Sequence, residues 1–135
     1  AHNAVLNANY MMEKLKDLYP MAYDCTCMHE FVMSLEKFHK ENNVSALDVA
    51  KALLDFGIHP PTMYFPLIVS EALMVEPTET ESRETLDDAI AAFRKIYDSI
   101  INSPASVSAS PVTTPMRRLD EVKAAREPVL KYEFS

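Results

Sequence analysis

The chain has 135 residues, a length that suits one domain with its own hydrophobic core and no need for disulfide or metal staples. Its net charge is −7 and its largest basic cluster is Arg117-Arg118, so we predict neither a nucleic-acid partner nor a membrane surface as partner. No apolar run approaches the roughly 20 residues of a membrane span, and we expect no signal peptide at the N-terminus.

The first third of the chain predicts one helix and one strand. Apolar side chains recur every three or four positions over residues 2–19, which indicates a helix that Pro20 ends. Residues 27–35 then alternate as in a strand, with odd-numbered side chains on one face of a sheet and even-numbered side chains on the other.

The middle of the chain predicts a second helix followed by a hairpin. Ser45 is a suitable N-cap for this helix, with Asp48 as its capping-box partner, and Gly57 is suited to close the helix as its C′ residue. Residues 63–69 and 72–76 are predicted to be short strands that form the hairpin around Ser70-Glu71.

The last third predicts one long helix and then an arm. Ser82 is suited to cap a helix whose apolar side chains share one face as far as residue 101. Residues 103–115 are rich in Pro, Ser and Thr and have no helical period, so we predict an extended segment there. A short helix is predicted over residues 120–126.

The order of these elements predicts an α+β fold, in which a small antiparallel sheet is covered on one face by helices. We expect residues 1–102 to form this small domain. Residues 103–135 are too few for a second domain, so we expect them to form an extended arm with a short helix, packed on the first.

Gly57 is the only glycine in the chain. Because the loops that cradle phosphate groups are rich in glycine, this chain cannot contain one. If the protein uses a phosphate-bearing cofactor, we expect most of that pocket to lie on another domain or another chain.

Cys25, Cys27 and His29 stand at alternate positions and are three potential metal ligands. Zinc sites usually draw their ligands from two separated loops, and this chain has no second cysteine pair. We therefore predict no metal site and two incidental thiols, with redox sensing as the alternative. The cysteine spacing is also poor for a structural disulfide, which favours a reducing cytoplasm.

Four polar residues on the two proline-containing turns are candidate site residues: His59, Thr62, Glu76 and Thr78. His59 precedes two prolines, so it is either a hydrogen-bonded turn residue or a contact to a substrate, a cofactor or a neighbouring domain. Glu76 ends an apolar strand, so we expect it to be partly buried beside an arginine or a group of backbone N–H groups. The polar side chains of residues 76–82 also suit the start of the following helix.

Arg117 and Arg118 are the remaining candidate site residues. A guanidinium group binds a carboxylate or a phosphate through two parallel hydrogen bonds, so this pair is suited to an acidic ligand. In the alternative interpretation the arm folds back and the arginines pair with acidic residues of the same chain. No spacing in the sequence supports a catalytic triad or a catalytic carboxylate pair.

Six blocks of sequence, spread over nearly the whole chain, carry a family resemblance. They are AVLNANY (4–10), MHEFV (28–32), ALDVAK (46–51), GIHPPT (57–62), LMVEPTETES (73–82) and RLDEV (118–122). Together they resemble the C-terminal region of the P-protein of the glycine cleavage system, the decarboxylating glycine dehydrogenase that depends on pyridoxal phosphate (PLP). The form of residues 64–66 and the arginine-rich tail look like subunit 2 of the two-subunit bacterial type.

This resemblance implies a fold-type-I PLP enzyme, of which the sequence matches only the small C-terminal domain. In that family glycine loses CO₂ with the help of PLP, and the aminomethyl group passes to the lipoyl group of the H-protein. No segment matches the motif of the PLP-binding lysine, so the resemblance assigns no catalytic or cofactor-binding residue to this chain and implies that it is inactive alone. The implied partners are the large PLP domain, P-protein subunit 1 and the lipoylated H-protein, in the bacterial cytoplasm.

Two functional interpretations stay open at this point. The first is an enzyme domain that helps to close the active site of glycine dehydrogenase, with the four turn residues facing the cleft between domains. The second is a stand-alone, non-catalytic α+β protein-interaction module. The first predicts exposed apolar side chains where the large domain packs, including Leu, Met or Tyr on the first helix, whereas the second predicts a polar surface all round.

Overall fold

The computed structural model describes residues 1–132 and 134 and confirms the predicted α+β class. In chain order the elements are α1 (His2–Leu15), β1 (Phe31–Ser34), α2 (Glu36–Asn42), α3 (Ala46–Leu54), β2 (Thr62–Met63), β3 (Ala72–Val75), α4 (Arg83–Asn102), α5 (Pro104–Ser108) and α6 (Glu121–Arg126). None of the helices in this described part combines the length and the hydropathy that crossing a membrane requires.

The sheet is antiparallel, with β3 in the centre and strand order β1-β3-β2. Phe31 lies opposite Val75 in this register, and Thr62 lies opposite Met74. The odd-numbered residues of β1 and β3 join the hydrophobic core, which α1, α3 and α4 complete. The predicted alternation of residues 27–35 is therefore confirmed over the part that forms β1.

An aromatic cluster fills the core between the helices. The Tyr19 ring makes edge-to-face contacts with the rings of Phe38 and Phe93, at centroid distances of 5.7 and 5.8 Å, and Tyr97 completes the cluster at 5.9 Å. The Tyr19 hydroxyl donates a hydrogen bond of 2.8 Å to the carbonyl oxygen of Phe93, so this buried polar atom is satisfied. Burial raises the pKa of Tyr19 well above its ordinary value.

Between residues 2 and 42, two elements are shorter than predicted, and one helix is not predicted at all. The first helix ends at Leu15, and a turn follows it. The strand predicted over 27–35 is reduced to β1, because the backbone groups of Cys27 bond to the side chain of Asn9 rather than to a neighbouring strand. The unpredicted α2 has seven residues and buries only Phe38, which is too little to produce a helical period in the sequence.

The predicted hairpin is correct in its pairing but wrong in its strand lengths. β2 pairs with β3 over two residues, and residues 64–71 form a loop where the composition predicts a strand over 63–69. Tyr64 and Glu71 have φ angles of 58° and 48°, in the left-handed region that strands exclude. Pro66 has no N–H to donate to a ladder, which also opposes a strand.

Both predicted N-caps are confirmed by their hydrogen bonds. At the start of α3 the Ser45 hydroxyl accepts from the N–H of Asp48 at 3.2 Å, and the Asp48 carboxylate accepts from the N–H of Ser45 at 2.8 Å, which forms a capping box. At the start of α4 the Ser82 hydroxyl accepts from the N–H of Thr85 at 3.2 Å.

Gly57 closes α3, as its position predicts. Its φ angle is 71°, and its N–H donates to the carbonyl oxygen of Leu54 at 3.0 Å. The N–H of Ile58 donates to the carbonyl oxygen of Leu53 at 3.1 Å. These two bonds are the pattern of a Schellman motif with Gly57 in the left-handed position.

The chain after α4 folds back against the domain. The prediction of an extended segment is wrong for Pro104–Ser108, which form α5, and Val107 enters the core with 2% of its surface exposed. Five residues are too few to show a helical period. α6 confirms the predicted helix over 120–126, and all of its residues are exposed. The division between domain and arm at residue 102 stays a prediction.

The carboxylate of Asp55, just after α3, holds the arm. It accepts hydrogen bonds of 2.7 to 2.9 Å from the N–H groups of Val112 and Thr113 and from the Thr113 hydroxyl. Burial opposes the ionisation of this group, but these hydrogen bonds outweigh it and lower the pKa of Asp55 below its ordinary value. The arm is thus fastened to α3 by an ionised carboxylate.

Replacing Gly57 with alanine should lower the free energy of unfolding by about 1 kcal/mol, because a residue with a Cβ is strained in the left-handed region. No neighbouring side chain or backbone lies within 4 Å of the added carbon, so the loss of stability reflects backbone strain and not a steric clash. Urea denaturation measures the change. The control is Asn43→Gly, at a φ angle of 55°, which should leave the stability unchanged or raise it. Equal stability of Gly57→Ala and wild type would contradict this account of the helix end.

The pH dependence of stability should reveal the Asp55 anchor. A carboxylate with a lowered pKa in the folded state stabilises the fold above its ordinary pKa, and this contribution is lost as the pH falls through the folded value. We expect Asp55→Asn to lower the free energy of unfolding by about 1 kcal/mol at pH 7, a modest loss because the carboxylate is partly solvated. Below about pH 4 the loss should become progressively smaller.

Urea denaturation at a series of pH values tests this prediction. The control is Asp88→Asn, which replaces an exposed carboxylate on α4 and should have little effect at any pH. A cost of Asp55→Asn that does not change with pH would show that the anchor does not depend on charge.

Candidate functional site

A group of polar side chains lies at the end of the sheet where β1 begins and β3 ends. We call it the polar end and define it as His29, Glu30, Thr62, Glu76 and Thr78. The Nε2 atom of His29 lies 3.8 Å from a carboxylate oxygen of Glu30 and 3.8 Å from one of Glu76. Each of these three side chains is more than one third exposed. The polar end is therefore an open surface where two carboxylates meet an imidazole.

The strand register explains why these side chains meet. Because Phe31 lies opposite Val75, the next pair in the same register is Glu30 and Glu76. Like charges at opposed positions repel each other, and the imidazole of His29 offsets this repulsion when it is protonated. A cationic group of a ligand or of another protein would do the same, so the polar end is suited to bind a cation.

Two asparagines of α1 hold the chain on both sides of the polar end. The side-chain amide of Asn9 donates to the carbonyl oxygen of Cys27 at 2.8 Å, and its oxygen accepts from the N–H of Cys27 at 3.0 Å. The amide of Asn7 donates to the carbonyl oxygens of Thr78 and Glu81, at 2.9 and 3.3 Å. α1 therefore anchors both the segment before β1 and the segment after β3.

The structure brings part of the predicted site together. Glu76 lies beside His29, and Thr62 lies in β2 on the sheet face that Glu76 shares. Thr78 is two residues further along, with its carbonyl oxygen held by α1. His59 is exposed on the segment before β2, and the described residues show no hydrogen bond or ion pair that joins it to the others.

The expected burial of Glu76 is wrong. Its side chain is 58% exposed and its neighbour is His29, not an arginine or a group of backbone N–H groups. The reason is that β3 ends at Val75, so the next residue lies outside the core. The sequence pattern groups His29 with the cysteines and gives no role to Glu30. His29 and Glu30 are identified as site residues only by the pairing of β1 with β3, which the sequence pattern does not specify.

Arg117 and Arg118 are bonded within the chain. Arg118 forms an ion pair with Asp48, with an N–O distance of 2.7 Å, and its Nε donates to the carbonyl oxygen of Ser110 at 2.7 Å. Arg117 donates to the carbonyl oxygen of Pro111 at 3.2 Å. The arm thus folds back and pairs with an acidic residue through Arg118. Binding of an acidic ligand by either arginine stays a prediction.

Cys25 and Cys27 are free thiols in the described structure. Cys25 is exposed, whereas Cys27 is partly buried, and this burial raises the pKa of its thiol. A raised pKa makes the reactive thiolate scarcer, so Cys27 is poorly suited to redox chemistry at neutral pH. Within residues 1–132 and 134, no three His, Cys, Asp or Glu side chains are grouped so that they could hold a metal ion.

The polar end does not fit the phosphate group of PLP. Its carboxylates would repel a phosphate, and the helix that follows it, α4, is already capped by Ser82 and carries Glu84 in its first turn. The N–H of the single glycine, Gly57, is used to close α3. We therefore assign no PLP contact to this surface.

Comparison with known proteins identifies the family. Residues 1–116 match the family described as glycine dehydrogenase, C-terminal domain. The chain belongs to this family. It is 56% identical to the probable glycine dehydrogenase (decarboxylating) subunit 2 of Fervidobacterium nodosum, and 58% and 57% identical to the proteins of the same name from Treponema denticola and Bacillus velezensis.

These similarities cover nearly all of this chain but a minor part of the relatives. They include 96% or 97% of the chain and 26% or 27% of the relatives' length. The chain therefore spans about a quarter of the length of the curated relatives it matches. The family that the six sequence blocks resemble is confirmed.

Replacing Asn9 with alanine should destabilise the chain by about 2 kcal/mol, because it leaves both backbone groups of Cys27 without their partner and also removes a hydrogen bond to the Val5 carbonyl oxygen. Urea denaturation measures this loss, and amide hydrogen exchange should show faster exchange at Cys27. The control is Asn3→Ala, an exposed position on the same helix, which should change neither measurement. Unchanged exchange at Cys27 in Asn9→Ala would mean that α1 does not hold this segment.

Proposed function

We propose that this chain acts as the C-terminal domain of subunit 2 in a two-subunit glycine dehydrogenase (decarboxylating). The observation that carries the proposal is the family match over residues 1–116, together with the name subunit 2 in relatives that are 56% to 58% identical. In the proposed reaction the whole enzyme decarboxylates glycine and transfers the aminomethyl group to the lipoyl group of the H-protein.

In this proposal the polar end and His59 face the cleft between the domain and the rest of the enzyme. Ala1 and Glu79 line one surface cleft of about 350 Å³, which supports a position of the α1 N-terminus near the polar end. The carboxylates there are suited to orient a cationic group across the cleft.

PLP belongs to the large domain in this proposal, since the polar end does not fit it. When PLP is bound there, it supplies the electron sink for the loss of CO₂. The residues of this chain cover the site and exclude water from it. The domain alone is therefore expected to be inactive. The expected partners are subunit 1 and the lipoylated H-protein, and the expected compartment is the bacterial cytoplasm.

A stand-alone interaction module is the second candidate function. This alternative predicts a polar surface all round. Leu6 on α1 is 67% exposed, and Met28 next to the polar end is 72% exposed. These side chains favour the enzyme domain, which needs an apolar surface where it packs against the large domain.

The double variant Glu30→Gln/Glu76→Gln of full-length subunit 2 should lose most of its activity. With subunit 1, PLP and H-protein supplied, we expect the rate of glycine–CO₂ exchange to fall at least about tenfold, because two carboxylates that face the cleft are neutralised. Alanine variants at His59, Thr62 and Thr78 should also show a lower rate of glycine–CO₂ exchange.

The control is Glu41→Gln, which neutralises an exposed carboxylate on α2 and should leave the rate unchanged. Normal exchange in the double variant and in all three alanine variants would refute the role of the polar end. A wild-type pair of subunits with no exchange would refute the proposed activity itself.

A further inference from the structure

The loop between β2 and β3 presents four exposed apolar side chains at the end of the sheet opposite the polar end. We call it the apolar tip and define it as Tyr64, Phe65, Leu67 and Ile68. Leu67 and Ile68 are each 86% exposed, Phe65 is 53% exposed and Tyr64 is 43% exposed. Single apolar residues are normal on a protein surface, whereas four within five consecutive positions mark an interaction site.

Hydrogen bonds from three other elements hold the C-terminal end of this loop, at Ser70 and Glu71. The Ser34 hydroxyl, at the end of β1, donates to the carbonyl oxygen of Ser70 at 2.8 Å. The N–H of Leu35, at the start of α2, donates to the carbonyl oxygen of Glu71 at 2.9 Å. The N–H of Ala46, at the start of α3, donates to the Glu71 carboxylate at 2.7 Å. A loop that is already ordered loses little conformational entropy when a partner binds.

We propose that the apolar tip is the surface that docks onto subunit 1, an inference that rests on the proposed function. The tip and the polar end are separated by the four residues of β3, about 13 Å. Ala1 lies beside Glu79, just beyond the polar end, so the tip lies at the end of the sheet that is remote from Ala1. The relatives are named subunit 2, and this name implies a subunit 1, which is the protein that binds the tip in this proposal.

Leu67 and Ile68 are the anchors of this surface. They are the most exposed members of the tip, so a partner that covers the tip removes the most apolar surface from water at these two side chains. Glu36 and Lys40 of α2 form an ion pair of 2.7 Å near the Ser70 end of the loop and provide a polar rim. The matching surface of subunit 1 is an apolar pocket that accepts two branched aliphatic side chains.

The test measures the dissociation constant between full-length subunit 2 and subunit 1 by isothermal titration calorimetry. The Leu67→Ser/Ile68→Ser variant should bind about 100-fold more weakly, with an unchanged melting temperature because both side chains are exposed. The matched control is Val129→Ser/Leu130→Ser, which replaces similar side chains, 91% and 89% exposed, in the tail. It should change the constant less than about threefold. An unchanged constant in the tip variant, or a loss in the control alone, overturns the inference.

A second measurement decides the question if the tip variant folds poorly. A photoreactive phenylalanine derivative placed at position 67 of full-length subunit 2 should crosslink to subunit 1 on irradiation. A crosslink within subunit 2, or between two copies of it, overturns the inference. If the wild-type subunits neither bind each other nor exchange CO₂, the proposed function fails as well. If they do both and the tip variant binds normally, only the inference fails.

Discussion

The polar end keeps its shape because two asparagine side chains of α1 are bonded to the chain on both sides of it. Asn9 satisfies both backbone groups of Cys27 before β1, and Asn7 binds a carbonyl oxygen after β3. α1 in turn packs on α4 and β1, so these bonds connect loop positions to the core. They replace ladder bonds that such short strands cannot supply. His29 and Glu76 therefore meet on a backbone that is fixed by a helix.

Features that depend on neighbours a few residues away could be predicted from the sequence. Ser45 and Ser82 act as N-caps on N–H groups three residues further on, and Gly57 ends α3 through bonds that span three to five residues. The alternation around β1 identifies the core-facing side chains for the same reason, because each side chain reports only its own position on the strand. The family follows from blocks that are individually weak and are specific only in combination.

Features that depend on distant residues could not be predicted. Asp55 binds N–H groups 57 and 58 residues away, and no local pattern identifies that pairing. Glu76 meets His29 only because β1 pairs with β3. The helices α2 and α5 bury one side chain each, so neither leaves a period in the sequence. β2 is short because the loop after it contains residues in the left-handed region. A tyrosine such as Tyr64 rarely adopts that conformation, so the sequence does not predict it.

β3 gives the domain one stiff axis. Its four residues have a neighbouring strand on each edge, with β1 along its full length and β2 along half of it. A strand paired on both edges does not bend independently of its sheet, so a displacement at one end turns the whole sheet. Glu71 and Glu76 flank the two ends of this axis. A molecule that binds at one end of β3 therefore also fixes the orientation of the residues at the other end relative to itself.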